Sequence, residues 1–410
     1  MKQLLALLLA LAPLVSHAQT VDDGATRAEQ LFGYLLRNQS DSLYDALAEK
    51  VKPLLKRVQL KDALAQAEAL AGKYVKHGPW TRSDVADSRV YQSTVTFKNA
   101  ELTALIGLDP DGRMTAIRLM PPTVLTSEVD DMPLPNDAVE TDDTVRTSPL
   151  IRLPATITLS GRSPQPPMVV MVHGSGALDR NETVMGNQTF RDLARQLADR
   201  GISSLRYDKR SFVYPSLPVS SMDDETTLDA LAAIALARTY SNKVYLLGHS
   251  LGAMMAPVIA SRADKGQLSG IIMLAATARP MLDVVNEQLQ HLASADTTTI
   301  TTQTDIEQVI DEVRRQSPHY FEPQHQVETA QVLSLPILVM QGGRDYQVTM
   351  ADFQLWQQAL GHRSNVTLLS FPDLNHLFLP GTGTSTPQEY LIRQSIPSPV
   401  IDAIEHFILQ

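Results

Sequence analysis

A serine between two glycines, Gly248-His249-Ser250-Leu251-Gly252, follows the apolar run Val244 to Leu247 and precedes a small-residue, helix-prone run. A serine hydroxyl is a weak nucleophile at neutral pH. It does chemistry only with a histidine base that is itself oriented by a carboxylate. The spacing here suits an exposed nucleophile, which needs a strand entering the turn, a helix leaving it and small neighbours around a strained serine. The start of that helix would also direct free amides, and the positive end of its dipole, at a developing oxyanion.

In this geometry the acid and the base follow the serine at the carboxyl ends of later strands, in the order Ser, Asp or Glu, His. "PILVMQGGRDYQV" runs a buried strand into Gly342-Gly343 and then Asp345, and "VTLLSFPDLNHLF" runs a later strand into His376. Asp345 could also serve as a turn residue that satisfies backbone amides. Asp373 is a rival carboxylate in the same loop as His376. Among the histidines, His17 falls in the N-terminal leader, His249 adjoins the serine and His406 lies in the closing helical segment, so only His376 ends a late strand. The predicted catalytic set is Ser250, Asp345 and His376. The second oxyanion donor is expected from the loop after "MVVMV", which reads His173-Gly174-Ser175-Gly176-Ala177. The amides of Leu251 and Ser175 are the predicted donors, with Gly176 as the substitute for Ser175. The chemistry is a two-step acyl transfer to water, faster as His376 loses its proton, and it calls for neither metal nor cofactor.

These residues need a scaffold. From about residue 137 the chain alternates short apolar strands ("ATITL", "MVVMV", "SSLRY", "KVYLL", "GIIML", "PILVM", "VTLLS") with amphipathic helical segments. That pattern predicts a mostly parallel sheet covered by helices on both faces over 137–410. Residues 279–333 interrupt it with two extra helical segments, an insertion of the size of a lid. Met281, Val284, Val285 and Leu289 in that insertion could line an acyl pocket or pack as ordinary core. Before it, 25–120 reads as helices followed by an antiparallel meander, a small α+β domain, and 121–136, with four prolines, reads as a linker.

The 410 residues, 43% hydrophobic and 20% charged, suffice for more than one domain. The net charge of −10, without a long basic run, argues against nucleic acid as a partner. With no cysteine there is no disulfide, thiol chemistry or thiolate metal site. "MKQLLALLLALAPLVSHAQT" has the form of a secretory signal peptide, 1–18, cut before Gln19. Its apolar core is shorter than the ~20 residues of a membrane span. Export to the periplasm or the exterior is therefore expected, with no stable membrane insertion after cleavage.

"VVMVHGSGALDRNE", "LRYDKR", "LLGHSLGA", "QGGRDYQV" and "NHLF" together resemble the α/β-hydrolase superfamily and, more narrowly, the exported bacterial serine esterases of the EstD-like type. The resemblance covers 137–410. It implies an α/β-hydrolase fold, a small-molecule carboxylic ester as substrate, the triad roles on Ser250, Asp345 and His376, and oxyanion donation by Ser175 and Leu251. It also implies a cone-like fold for the N-terminal domain. Two departures bear on substrate preference: "GALDRNE" stands where the group has "GPxDRDE", and "SFVYPS" replaces a glycine-rich segment after "YDKR". Asp179, Arg180, Tyr207, Asp208 and Lys209 fall in these shared loops and are expected to form an ion-pair network that joins them. A prolyl-oligopeptidase-like peptidase would need a large propeller, for which the roughly 100 residues before the linker are too few. A carbohydrate acetyl esterase would use the same triad, and a secreted binding protein could use the hydrolase fold as a scaffold alone.

Overall fold

The computed structural model describes residues 23–410 except 50, 53–59, 61–63, 66, 69–70, 86–87, 99–100, 121–131, 216 and 295–302. The signal peptide assigned to 1–18, most of the linker assigned to 121–136 and the middle of the insertion lie outside the described residues. The chain divides into two compact units, one of residues up to 125 together with 293–301, the other of 126–292 with 302–410.

In the first unit, α1 (Asp23–Leu36) buries Ala28, Leu31, Phe32 and Leu35, the stripe that its 3- and 4-residue spacing predicts. A short α2 (Ser40–Asp45) follows. The strands β1 (Tyr74–His77), β2 (Thr81–Val85), β3 (Ser88–Phe97), β4 (Glu101–Leu108) and β5 (Met114–Met120) form one antiparallel sheet, ordered β1-β3-β4-β5 with β2 also paired to β3. The β4–β5 turn closes on Asp109, whose Oδ1 accepts the amides of Asp111 (3.0 Å) and Arg113 (2.8 Å).

The second unit is built on an eight-stranded sheet, formed by β6 (Ala138–Arg146), β7 (Arg152–Ser160), β8 (Met168–Val172), β11 (Ser203–Tyr207), β12 (Val244–His249), β13 (Gly270–Leu274), β14 (Ile337–Gly342) and β15 (Val366–Phe371). Their order is β15-β14-β13-β12-β8-β11-β7-β6. Six of the strands run parallel, and β7 and β6 close one edge antiparallel. β9 (Thr183–Val184) and β10 (Asn187–Gln188) make a separate hairpin. The expected sheet is thus present, with one addition. Little strand signal marks β6, because Glu140, Asp142 and Asp143 break its apolar alternation.

Helices cover both faces of this sheet. Met168, Val170 and Val172 of β8 join one core with α5 (Leu228–Ala237), α6 (Leu251–Arg262), α9 (Gln326–Val332) and α10 (Met350–Leu360). Val169 and Met171 point the other way, into a core with α3 (Thr189–Asp199) and α11 (Ser398–Leu409). Successive residues of one strand serve opposite cores, which is why these strands read as continuous apolar runs. A one-turn α4 (Arg210–Val213) follows β11. The segment 279–333 carries the two expected helices, α7 (Met281–Ser294) and α8 (Gln303–Gln316), then a tight turn at Pro318–Phe321. It also contains α9, which packs against α6 and α10 as a crossover helix of the sheet. Among the described residues no helix is long and apolar enough to cross a membrane.

Candidate active site

β12 ends at His249, Ser250 takes φ +54° and ψ −114°, and α6 begins at Leu251. Such a backbone is costly for a residue with a Cβ and persists only where its surroundings impose it. The imposition is visible. A Cβ placed on Gly252 would lie 2.2 Å from the Val172 carbonyl oxygen, and one on Gly248 would lie 2.2 Å from the Gly252 carbonyl oxygen. The Ser250 amide is fixed by the Leu274 carbonyl at 2.9 Å. Gly252→Ala should therefore push α6 off β8 and lower stability by on the order of 3 kcal/mol in a urea melt. A loss under about 1 kcal/mol would mean that the two backbones can separate freely.

Asp345 follows β14 and is buried. Its Oδ1 accepts the amides of Gln347 (2.8 Å) and Val348 (2.9 Å), and its Oδ2 accepts from Gln341 Nε2 (3.1 Å) and lies 2.7 Å from His376 Nδ1. It is thus a turn residue and the imidazole's partner at once, one oxygen for each task. The rival Asp373 is exposed. His376 lies beyond β15, and its carbonyl accepts a hydrogen bond from His249 Nε2 at 2.8 Å. The two imidazole centroids are 4.7 Å apart, which brings the His376 loop against the turn that bears Ser250.

The loop after β8 also reaches this point, since a Cβ on Gly174 would lie 3.3 Å from Ser250 Cβ. Leu251 contributes the first amide of α6, one of those a helix leaves without an internal partner. Gly176 has φ +97°, and its amide is turned toward the Tyr320 hydroxyl. Among the described residues no acceptor faces the Ser175 amide. Of the two candidates in this loop, Ser175 is the one with a donor to spare.

Sequence reasoning set His249 aside and singled out Glu182 for nothing. Both are fully buried, with His249 Nδ1 3.1 Å from Glu182 Oε1. The same carboxylate oxygen accepts the Gly174 amide at 2.8 Å. The pair therefore ties the loop after β8, the serine turn and the His376 loop together. Burial opposes charge on both partners. Their mutual attraction prevails, holding the His249 imidazole above its usual range and the Glu182 carboxyl below its own. The one local sign is the backbone of Glu182, at φ +51° and with no glycine to suggest it.

His173 behaves oppositely. Burial pushes its imidazole down to about 4, and its Nε2 donates to the Asp179 carbonyl at 3.0 Å. Neutral in the fold, it takes up a proton in the unfolded chain below its ordinary 6.5, so its contribution is complete above that pH. Stability should fall by up to about 3 kcal/mol as the pH drops from 6.5 to 4. His249, with its raised pKa, acts in the opposite sense and loses its contribution as the pH climbs above 6.5. Denaturation of His173→Gln across this window should give a shallower acid slope, and an unchanged slope would assign the acid loss to other groups.

Of the expected network, the Arg180–Asp208 pair joins the two loops, whereas Tyr207 packs edge-on against His173 and Lys209 pairs with Glu225. Arg180 forms a fork on Asp208 (Nε–Oδ1 3.1 Å, Nη2–Oδ2 3.0 Å), and Asp208 Oδ1 also accepts the Arg180 amide at 2.8 Å. Asp179 accepts the amide and the hydroxyl of Thr183. In α7, Val284, Val285 and Leu289 are buried, and Met281 packs against the sheet core. The helix is anchored beside the acid loop by Gln288 Nε2 on the Gln347 carbonyl (2.7 Å) and by His291 stacked on Tyr346.

The family model described as Alpha/beta hydrolase family matches residues 169–391. The relative named Esterase EstD, from Thermotoga maritima, is 32% identical over 394 residues, covering 92% of this chain and 93% of its own. Among solved structures, the esterase Pf2001 of Pyrococcus furiosus is 16% identical, with a TM-score of 0.46 over 66% of this chain and 90% of its own. Est1E of Butyrivibrio proteoclasticus is 14% identical, with a TM-score of 0.43 over 65% of this chain and 97% of its own.

Proposed function

Because the chain belongs to the alpha/beta hydrolase family, we propose that it is a serine carboxylesterase working through an acyl-enzyme on Ser250. The observation that carries this reading is the buried 2.7 Å contact between His376 Nδ1 and Asp345 Oδ2, tied through the hydrogen bond of His249 Nε2 to the His376 carbonyl to the turn on which Ser250 sits at φ +54°. The relative in Thermotoga maritima, named an esterase, supports the reaction class.

His376 Nε2 takes the Ser250 proton as Oγ attacks the ester carbonyl, while Asp345 fixes the tautomer and stabilises the imidazolium. The tetrahedral oxyanion accepts hydrogen bonds from the amides of Leu251 and Ser175. Collapse breaks the bond to the alcohol oxygen, which leaves with the proton from His376. Water then repeats the sequence on the acyl-serine and releases the acid. The catalytic domain is proposed as 137–410, served by these residues alone.

The deciding experiment treats the protein and Ser250→Ala with a fluorophosphonate and reads intact mass. One adduct on the wild type and none on the variant is expected. No adduct on either, from folded protein, would replace the esterase reading with that of a binding protein on a hydrolase scaffold.

A further inference from the structure

The loop that carries the Ser175 amide is gripped at Gly174 by two buried charges of opposite sign. Glu182 Oε1 accepts the Gly174 amide at 2.8 Å, and Lys209 Nζ donates to the Gly174 carbonyl at 2.8 Å. Lys209 is 3% exposed and forms a 2.5 Å ion pair with Glu225, 5% exposed, on the π-helical turn Asp223–Thr227. Wide turns of this kind are often kept where a side chain must be delivered to a site. The Tyr320 hydroxyl donates to Glu225 Oε1 at 3.0 Å and faces the Gly176 amide on the other side. A buried chain thus runs from the insertion through Glu225 and Lys209 to the Gly174 carbonyl.

That carbonyl belongs to the same rigid peptide group as the Ser175 N–H. The peptide is planar and trans, so its two dipolar ends point in opposite directions, and fixing one aims the other. A cation on the carbonyl oxygen also draws electrons through the amide and makes its N–H a stronger donor. We propose that Lys209, held by Glu225, is a positioning residue that aims and polarises the Ser175 amide as an oxyanion donor. Lys209 touches no reacting atom and acts only through the 174–175 peptide. The proposal rests on the ester-hydrolysis reading above.

A buried Glu225 without its cation could unfold the protein, so the informative variant is the charge-balanced Lys209→Met/Glu225→Gln. Its kcat on an aryl ester should fall about 100- to 1000-fold with little change in KM, the size expected for one lost oxyanion donor. Its affinity for a trifluoromethyl ketone, which mimics the tetrahedral intermediate, should fall by the same factor. Inhibition by the product acid should stay as in the wild type. Retention of kcat within threefold, or equal losses for product and ketone, would overturn the proposal.

A second readout needs no variant. The chain has a single Gly-Ser step, so 13C-carbonyl glycine with 15N-serine labels only the 174–175 peptide in a carbonyl–nitrogen correlation. Adding the ketone to the wild type should move this one peak, and an unmoved peak with ketone bound would also overturn the proposal. Failure of the esterase reading looks different, because the wild type itself would then show neither turnover nor a fluorophosphonate adduct.

Discussion

Ser250→Ala is expected to lower kcat/KM toward an activated ester by about a million-fold, the scale on which a nucleophile and its base act as a unit. Without Oγ, His376 can activate only a water molecule, and no acyl intermediate divides the reaction into two easier steps. A residual acceleration of about 10³–10⁴ over water should survive through the oxyanion amides and substrate binding. The fold should not suffer. Ser250 is held at the turn by its own amide on the Leu274 carbonyl, and alanine keeps that bond. Thermal unfolding alongside kinetics separates the two effects. A variant that melts like the wild type yet keeps activity within a hundredfold would remove Ser250 from the mechanism.

Asp345→Asn should cost about 10⁴-fold in kcat at neutral pH through a proton in the wrong place. Oδ1 accepts the Gln347 and Val348 amides, so an asparagine must keep its carbonyl oxygen there and turn its NH2 toward His376 Nδ1. The imidazole then accepts at Nδ1 and carries its proton on Nε2, where it cannot take the serine proton. Gln341 Nε2 would meet the same NH2 and has to move, so a loss of about 1 kcal/mol in stability is expected as well. Kinetics across pH, with stability measured in parallel, test this. A loss below tenfold would show that His376 is oriented by other groups.

The parts of this protein that can be read without a structure are those whose signal is local. The six parallel strands are legible as short apolar runs between helices, five of them buried along their whole length and the edge strand β15 only partly buried. The turn at Ser250 is legible because a strand, two glycines and a helix start are contiguous. Asp345 and His376 stand out because parallel strands present their carboxyl ends to one edge of the sheet. β6 is missed because its acidic residues suit an edge that needs no second apolar face.

Residue order along the chain is thus enough for seven of the eight strands of the large sheet and for the ester-hydrolase class, and it orders Ser250, Asp345 and His376 as the proposed catalytic residues on that sheet. Which charges brace those residues is settled only in the folded molecule. Glu182 meets His249, and Lys209 meets Glu225 and the Gly174 carbonyl, only after strands and loops far apart in the chain have docked. A buried charge is tolerable only where an opposite charge and hydrogen bonds await it, and such a partner is a matter of position in space. No periodicity or spacing encodes that meeting, whereas burial of a strand on both faces is written into the chain as a continuous apolar run.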